Sequence, residues 1–220
     1  MATARAQRIG IWVIAIVLFV GTLAGFIAII LTPKNQQSDQ ARVEQLSQQY
    51  QDAQKEYQAK VAAQGTELST KYFAAFSGYA SRVGAFSKDG VSELKKEDLK
   101  IGDGGIITQS TAFTAYYIGW NPDGVIFDQS IDGSSLKAPF TAQPGGVITG
   151  WTEGVDGMAI GGVRELTIPA DKAYGATGSG DKIAPNTPLK FVIMVIPTPE
   201  AIAQPEIPAA LLKYYTRGSF

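Results

Sequence analysis

Apolar and polar positions change their pattern several times along the chain. Ile9 to Leu31, "IGIWVIAIVLFVGTLAGFIAIIL", runs for 23 residues without a charge. About 20 apolar residues suffice for a spanning helix, and a cleaved leader has a shorter apolar region of about 7–15. The length therefore predicts a retained transmembrane helix. From Pro33 to about Gly65 the chain turns to Gln, Ala, Ser, Lys and Glu, and Val43, Leu46, Tyr50, Ala53 and Tyr57 recur at alternating spacings of three and four. That period predicts an amphipathic helix with a coiled-coil-like seam, which ends where Lys60 and Gln64 fall on it. The seam leaves two readings open: a spacer that pairs with a second copy as a homodimer, or a single helix packed on its own domain. "YFAAFSGYASRVGAF", Tyr72 to Phe86, is too aromatic for a free linker. Tyr72, Phe73, Phe76 and Tyr79 are expected to form a helical face against the domain that follows.

Beyond Lys88 the period shortens to two. "GIITQSTAFTAYYIGW" mixes β-branched and aromatic residues and ends at "NPDG", a turn signal. "VIFDQS", "GVRELTI" and "PLKFVIMVI" read as further strands. Between them "TGWTEGVDGM" has too many glycines for a long helix, and a helix of one or two turns is expected near Thr149, with Thr149 or Thr152 as its N-cap. The result is an α+β class, an antiparallel sheet with one short helix. The expected organisation is residues 1–8 as a cytoplasmic N-terminus, 9–31 as the transmembrane helix, 32–87 as a helical stalk, 88–198 as a globular domain and 199–220 as a tail. Arg5 and Arg8 precede the apolar run and only Lys34 follows it closely. The positive-inside rule then predicts a single-pass membrane protein with its globular domain on the extracytoplasmic side.

Composition narrows the chemistry. A formal net charge of -1 provides no footprint for nucleic acid. The chain has neither histidine nor cysteine, which argues against disulfides, thiol chemistry and a transition-metal site, so no cofactor or metal is expected. The glycines of "AYGATGSGDKIAPNTPLKF" invite comparison with a phosphate-binding loop. Their order is G-x-x-G-x-G, the reverse of the dinucleotide fingerprint, and two prolines and a strand follow in place of a helix. The segment is read as a Gly-rich connection with Tyr174 at its entrance.

"VITGWTEGVDGMAIGGVRELTIPADKAYGATGSGDKIAPNTPLKFVIMVI", Val147 to Ile196, resembles the C-terminal half of FKBP-type peptidyl-prolyl isomerases. The matches are V-I-x-G-W-x-E-G, G-G-x-R-x-L-x-I-P, and A-Y-G leading to I-x-P and L-x-F. Earlier, "IGDG", "YYIGW", "FDQS" and "PF" follow in family order, so the resemblance covers about residues 95–196. It implies an antiparallel sheet curled around one short helix, with an apolar pocket between them. It places Trp151 at the pocket floor and Tyr117, Phe127, Phe140, Val147, Ile148, Ile183 and Phe191 in the walls. The Tyr174 hydroxyl and the Ile148 N–H would donate to substrate carbonyls, with Asp128 at the rim. Phe127, Asp128, Trp151 and Tyr174 are thereby the expected catalytic group. The sequence departs from the family pattern around the rim. "TAQPGG" is about two residues short, Ala142 replaces a larger apolar residue, and Ser179 and Lys182 stand where a histidine and an aliphatic residue are common.

The function this implies is cis-trans rotation of Xaa-Pro bonds in proline-containing polypeptides, serving extracytoplasmic folding. The alternative is a weakly active or inactive FKBP-like chaperone or binding module. Rotation needs only the loss of amide resonance, a barrier near 18–20 kcal/mol, so the missing histidines and cysteines do not weigh against it.

Overall fold

The computed structural model describes residues 36–217, with side chains placed for residues 40–213. The described residues divide into two compact units, one of Gln54–Gln204 and the other of residues 36–53 with 205–217. Helix α1, Gln36–Ser77, is 42 residues long and spans about 63 Å at 1.5 Å per residue. It contains no proline and a single glycine, Gly65, among strong helix formers. It therefore continues well past the point where the seam stops. A 3₁₀ turn, Gly78–Arg82, closes it.

The strands are β1 (Lys95–Lys100), β2 (Phe113–Trp120), β3 (Ile126–Gln129), β4 (Ile131–Asp132), β5 (Ser135–Leu136), β6 (Phe140–Ala142), β7 (Val163–Ile168) and β8 (Leu189–Ile196). Helix α2, Thr149–Val155, precedes β7, and α3, Ala209–Arg217, lies near the C-terminus. The main sheet runs β1-β7-β8-β2-β3, and β6 pairs with the other end of β2; all pairings are antiparallel. Strands β4 and β5 form a separate hairpin. The predicted "NPDG" turn is present: Gly124 N donates to Asn121 O at 3.0 Å, and Asn121 Oδ1 accepts from Asp123 N and Val125 N.

Side chains alternate across the sheet, yet β2 and β8 are buried almost without interruption. Both faces are covered. On one, Phe113, Ala115, Leu166, Ile168, Phe191, Ile193 and Val195 pack with Trp151 and Val155 of α2. On the other, Tyr116, Ile118, Trp120, Val192, Met194 and Ile196 pack with Phe76, Tyr72, Phe73, Tyr79, Val83 and Phe86. The expected aromatic face of the helix is thus seated on the sheet. Trp120 Nε1 donates to Gly84 O at 3.1 Å, and Phe86 N to Pro122 O at 2.9 Å. Glu165, 5% exposed, accepts from Arg82 Nε at 2.7 Å and Lys190 Nζ at 2.8 Å, so this buried carboxylate has two cationic partners. The segment after β8 returns along α1: Gln64 Nε2 donates to Glu200 O at 2.8 Å, and Gln204 Nε2 to the Tyr57 hydroxyl at 3.4 Å. In the other unit, α3 follows Pro208 at its start and buries Leu211.

Two expectations are corrected. Among the described residues no helix is long and apolar enough to cross a membrane, so the expected single-pass membrane protein with an extracytoplasmic domain is not supported. The long helix carries Gln, Glu and Lys around its circumference, a composition that cannot replace hydration with lipid contact. The expected span, Ile9–Leu31, lies outside the described residues. The second correction concerns α2, whose N-cap is Ile148, in extended conformation and with no side-chain cap, not Thr149 or Thr152. Tertiary packing supplies what the cap does not.

Candidate functional site

Helix α2 has seven residues, too few for independent stability. Gly150 and Gly154, one turn apart, let it lie flat on β7. A Cβ at Gly150 would fall 2.3 Å from Ile168 Cγ2, and one at Gly154 would fall 2.4 Å from Leu166 Cδ1. Arg164 of β7, 7% exposed, fixes the other end. Its guanidinium donates to Gly154 O at 2.8 Å and Asp156 O at 3.2 Å, and to both Asp98 oxygens at 2.7 and 3.1 Å. The bidentate pairing ties β1, β7 and the end of α2 together. Glu153 pairs with Lys172 at 2.5 Å. These contacts aim Trp151 at the sheet.

Around the Trp151 indole stand four other rings. Tyr117 lies 5.2 Å away at 79°, Phe191 5.3 Å at 88°, and Phe140 5.9 Å at 86°; Phe113 stacks at 6.3 Å. Edge-to-face arrangements of this kind suit the ring quadrupoles. Phe127 meets Phe191 edge-on at 5.4 Å. A glycine between them creates the room: a Cβ at Gly119 would come within 2.6 Å of Phe191 Cε1 and 2.7 Å of Phe127 Cζ. Trp151 Nε1 is buried with no hydrogen-bond partner among the described residues. Such an orphaned donor is costly unless something fills the space it faces.

Ile183 completes the wall from the Gly-rich loop, held by reciprocal bonds with Ser179 (Ser179 N to Ile183 O at 2.8 Å, Ile183 N to Ser179 O at 3.2 Å). Gly178 has φ +67°, and a Cβ there would lie 2.3 Å from Ile183 O, so only glycine fits this close approach. Val147 and Ile148 are half-buried against the same cluster. The Ile148 carbonyl accepts from Trp151 N and Thr152 N, which leaves its N–H as the group this position can offer. Phe140 and Tyr174, 39% and 38% exposed, mark the open rim.

The polar side of the rim is built on Asp128. Tyr117 donates its hydroxyl to Asp128 Oδ2 at 2.5 Å, and Gln129 N donates to Oδ1 at 2.8 Å. Burial first, then the Asp128 carboxylate, pushes the Tyr117 hydroxyl well above its ordinary value. The Tyr174 hydroxyl is pushed up for the same two reasons in the same order. Both phenols therefore stay protonated donors through neutral and mildly alkaline pH. Tyr117 is engaged with Asp128, and Tyr174 is the donor left for a bound molecule.

All ten sequence-predicted site residues thus gather in one place. Three others had gone unassigned. Gly119 makes space for two rings, Arg164 positions the helix carrying Trp151, and Lys182 sends its ammonium to Phe127 O at 3.0 Å. The signals were present: a glycine inside an aromatic strand, and an arginine inside an apolar one. No group of three or more acidic side chains that could hold a metal ion occurs among the described residues.

The profile of the family described as FKBP-type peptidyl-prolyl cis-trans isomerase matches residues 99–196. An FK506-binding protein of Neisseria meningitidis serogroup A is 40% identical over 100 residues, covering 46% of this chain and 91% of that protein. An FK506-binding protein of Streptomyces anulatus is 41% identical over 104 residues, 46% of this chain and 82% of that protein. The crystal structure of a peptidyl-prolyl cis-trans isomerase from Pseudomonas syringae pv. tomato aligns over 60% of this chain and 96% of that chain, at 32% identity and a TM-score of 0.43.

Proposed function

The chain belongs to the FKBP-type peptidyl-prolyl cis-trans isomerase family, and we propose that it rotates Xaa-Pro bonds of polypeptide segments in the hollow floored by Trp151. The enclosure of that indole by Tyr117, Phe140 and Phe191 carries the reading. The prolyl ring rests on Trp151 between the aromatic walls. In the planar amide the carbonyl oxygen carries negative charge that water stabilises, and twisting about the C–N bond removes much of it. An apolar cavity withdraws that advantage from the planar state, and its shape grips the twisted one. The Tyr174 hydroxyl and the Ile148 N–H hold the flanking carbonyls while the bond turns. Asp128 keeps the Tyr117 hydroxyl, and with it the ring edge, in a fixed position. No proton moves and no bond breaks, so the reaction asks nothing of the residue types the chain lacks.

A protease-coupled assay with an Ala-Pro peptide tests this on the full chain. Tyr174→Phe is expected to lower kcat/KM by about two- to tenfold, the worth of one ordinary hydrogen bond. Adding Trp151→Ala is expected to bring the rate to background while the far-ultraviolet circular dichroism persists. Wild-type rates at background, with peptide still bound, would leave a binding module in place of an isomerase.

A further inference from the structure

Strand β3 is the outer strand of the sheet beside the hollow, with β2 on its inner side. Two lysines from separate segments reach its backbone. Lys182, in the turn between Ser179 and Ile183, donates to Phe127 O at 3.0 Å, and Lys137, after β5, donates to Gln129 O at 2.9 Å. Lys182 thus stands beside Phe127, a residue of the aromatic wall, and Lys137 holds the same strand two residues farther along. Each spends one N–H on the strand and keeps two for other acceptors. Asp128, between them in sequence, has both oxygens engaged by Tyr117 and Gln129. Asp181 is exposed at the tip of the same turn as Lys182.

We infer that Lys182, with Lys137 farther out, makes the site select polypeptides with acidic residues next to the proline. This rests on the isomerase reading of the hollow. Lys182 adjoins Ile183, a wall of that hollow, so its ammonium lies where the side chain preceding a bound proline emerges. A glutamate or aspartate there gains an ion pair at the Lys182 ammonium. A lysine at the first position meets like charge.

The test compares Ala-Xaa-Pro-Phe anilides with Xaa as Ala, Glu or Lys in a protease-coupled assay on the full chain. The Glu-to-Lys ratio of kcat/KM is the readout, because it cancels any general effect of a variant on activity. In the wild-type chain it is expected to exceed one by roughly two- to fivefold, the scale of an exposed ion pair, and to shrink toward one as salt rises. Lys182→Gln removes most of the preference, Lys182→Glu inverts it, and Lys182→Arg keeps it. A wild-type ratio of one, or a ratio unmoved by Lys182→Glu, overturns the inference while leaving the isomerase reading intact. Failure of the Ala peptide to turn over faster than background overturns both together.

Discussion

On one face of the sheet Tyr116, Ile118 and Trp120 of β2 meet Phe76 of α1; on the other, Phe113 and Tyr117 of the same strand meet Trp151 of α2. Both faces are aromatic and both draw on the same alternation of one strand. On the α1 side, Phe76, Tyr116 and Trp120 are wholly shielded, and the Trp120 N–H has a backbone acceptor. On the α2 side the covering helix is only seven residues long. Rings at the edge stay partly open and the Trp151 N–H has no partner. A covered aromatic layer is core. The same layer under a short lid, with Phe140 at its edge 39% exposed, is the candidate site. What separates them is how much of the layer its neighbour covers.

Substitutions on the two faces sharpen that contrast. The largest expected effect comes from Phe76→Ala, which opens a cavity in the sealed layer and costs about 3–5 kcal/mol. Chemical denaturation measures the loss, and turnover per folded molecule is expected to persist. Loss of turnover in proportion to stability would show that the two faces are not separable. Gly119→Ala pushes a methyl into Phe127 and Phe191 and is expected to cost about 1–3 kcal/mol through overpacking. Its kcat/KM should fall further than its stability, because the displaced rings are walls of the hollow. An unchanged kcat/KM would remove Phe127 and Phe191 from the site.

Tyr116→Phe has the smallest expected effect and the opposite sign. The Tyr116 hydroxyl is buried without a hydrogen-bond partner among the described residues, so deleting it is expected to stabilise by about 1 kcal/mol. Burial, reinforced by the nearby Tyr72, pushes its pKa from 10.0 to about 12. A folded pKa above the unfolded one means that the contribution of the neutral phenol is complete below about pH 10 and is lost as pH rises toward 12. The wild-type chain is therefore expected to lose stability over that interval, and Tyr116→Phe to flatten the decline in a denaturation series at alkaline pH.

The contrast also separates what could be read from the sequence from what could not. The clustering of the candidate site was legible because its residues come in short dense motifs, "YYIGW", "FDQS" and "VITGW", each of which the structure brings to the same place. The Phe76 layer was legible too, since a helical run of aromatics has to be buried somewhere. Strand β1, "KKEDLK", went unseen: it is an edge strand with only Leu99 half-buried, so it carries no alternation to detect. Helix α1 runs on past the seam because Gln, Ala, Lys and Glu sustain helical backbone where the seam has stopped. The N-cap of α2 was misplaced because two threonines looked like caps, while packing of Gly150 and Gly154 on β7 fixes where the helix begins. Lys182 was noticed only as a departure from a family pattern. Its bond to Phe127 O spans 55 residues and has no local trace.

The backing of the sheet by Tyr72, Phe76, Tyr79, Val83 and Phe86 bears on how this enzyme can be cut down for study. A fragment starting at residue 88 would keep every group of the candidate site and still strip the opposite wall, leaving Tyr116, Ile118 and Trp120 in water and Glu165 without its Arg82 counter-charge. Such a piece would be expected to clump or lose its shape before its chemistry could be assayed. The shortest portion able to stand alone therefore begins within the long helix, ahead of Tyr72, although no reacting group lies there.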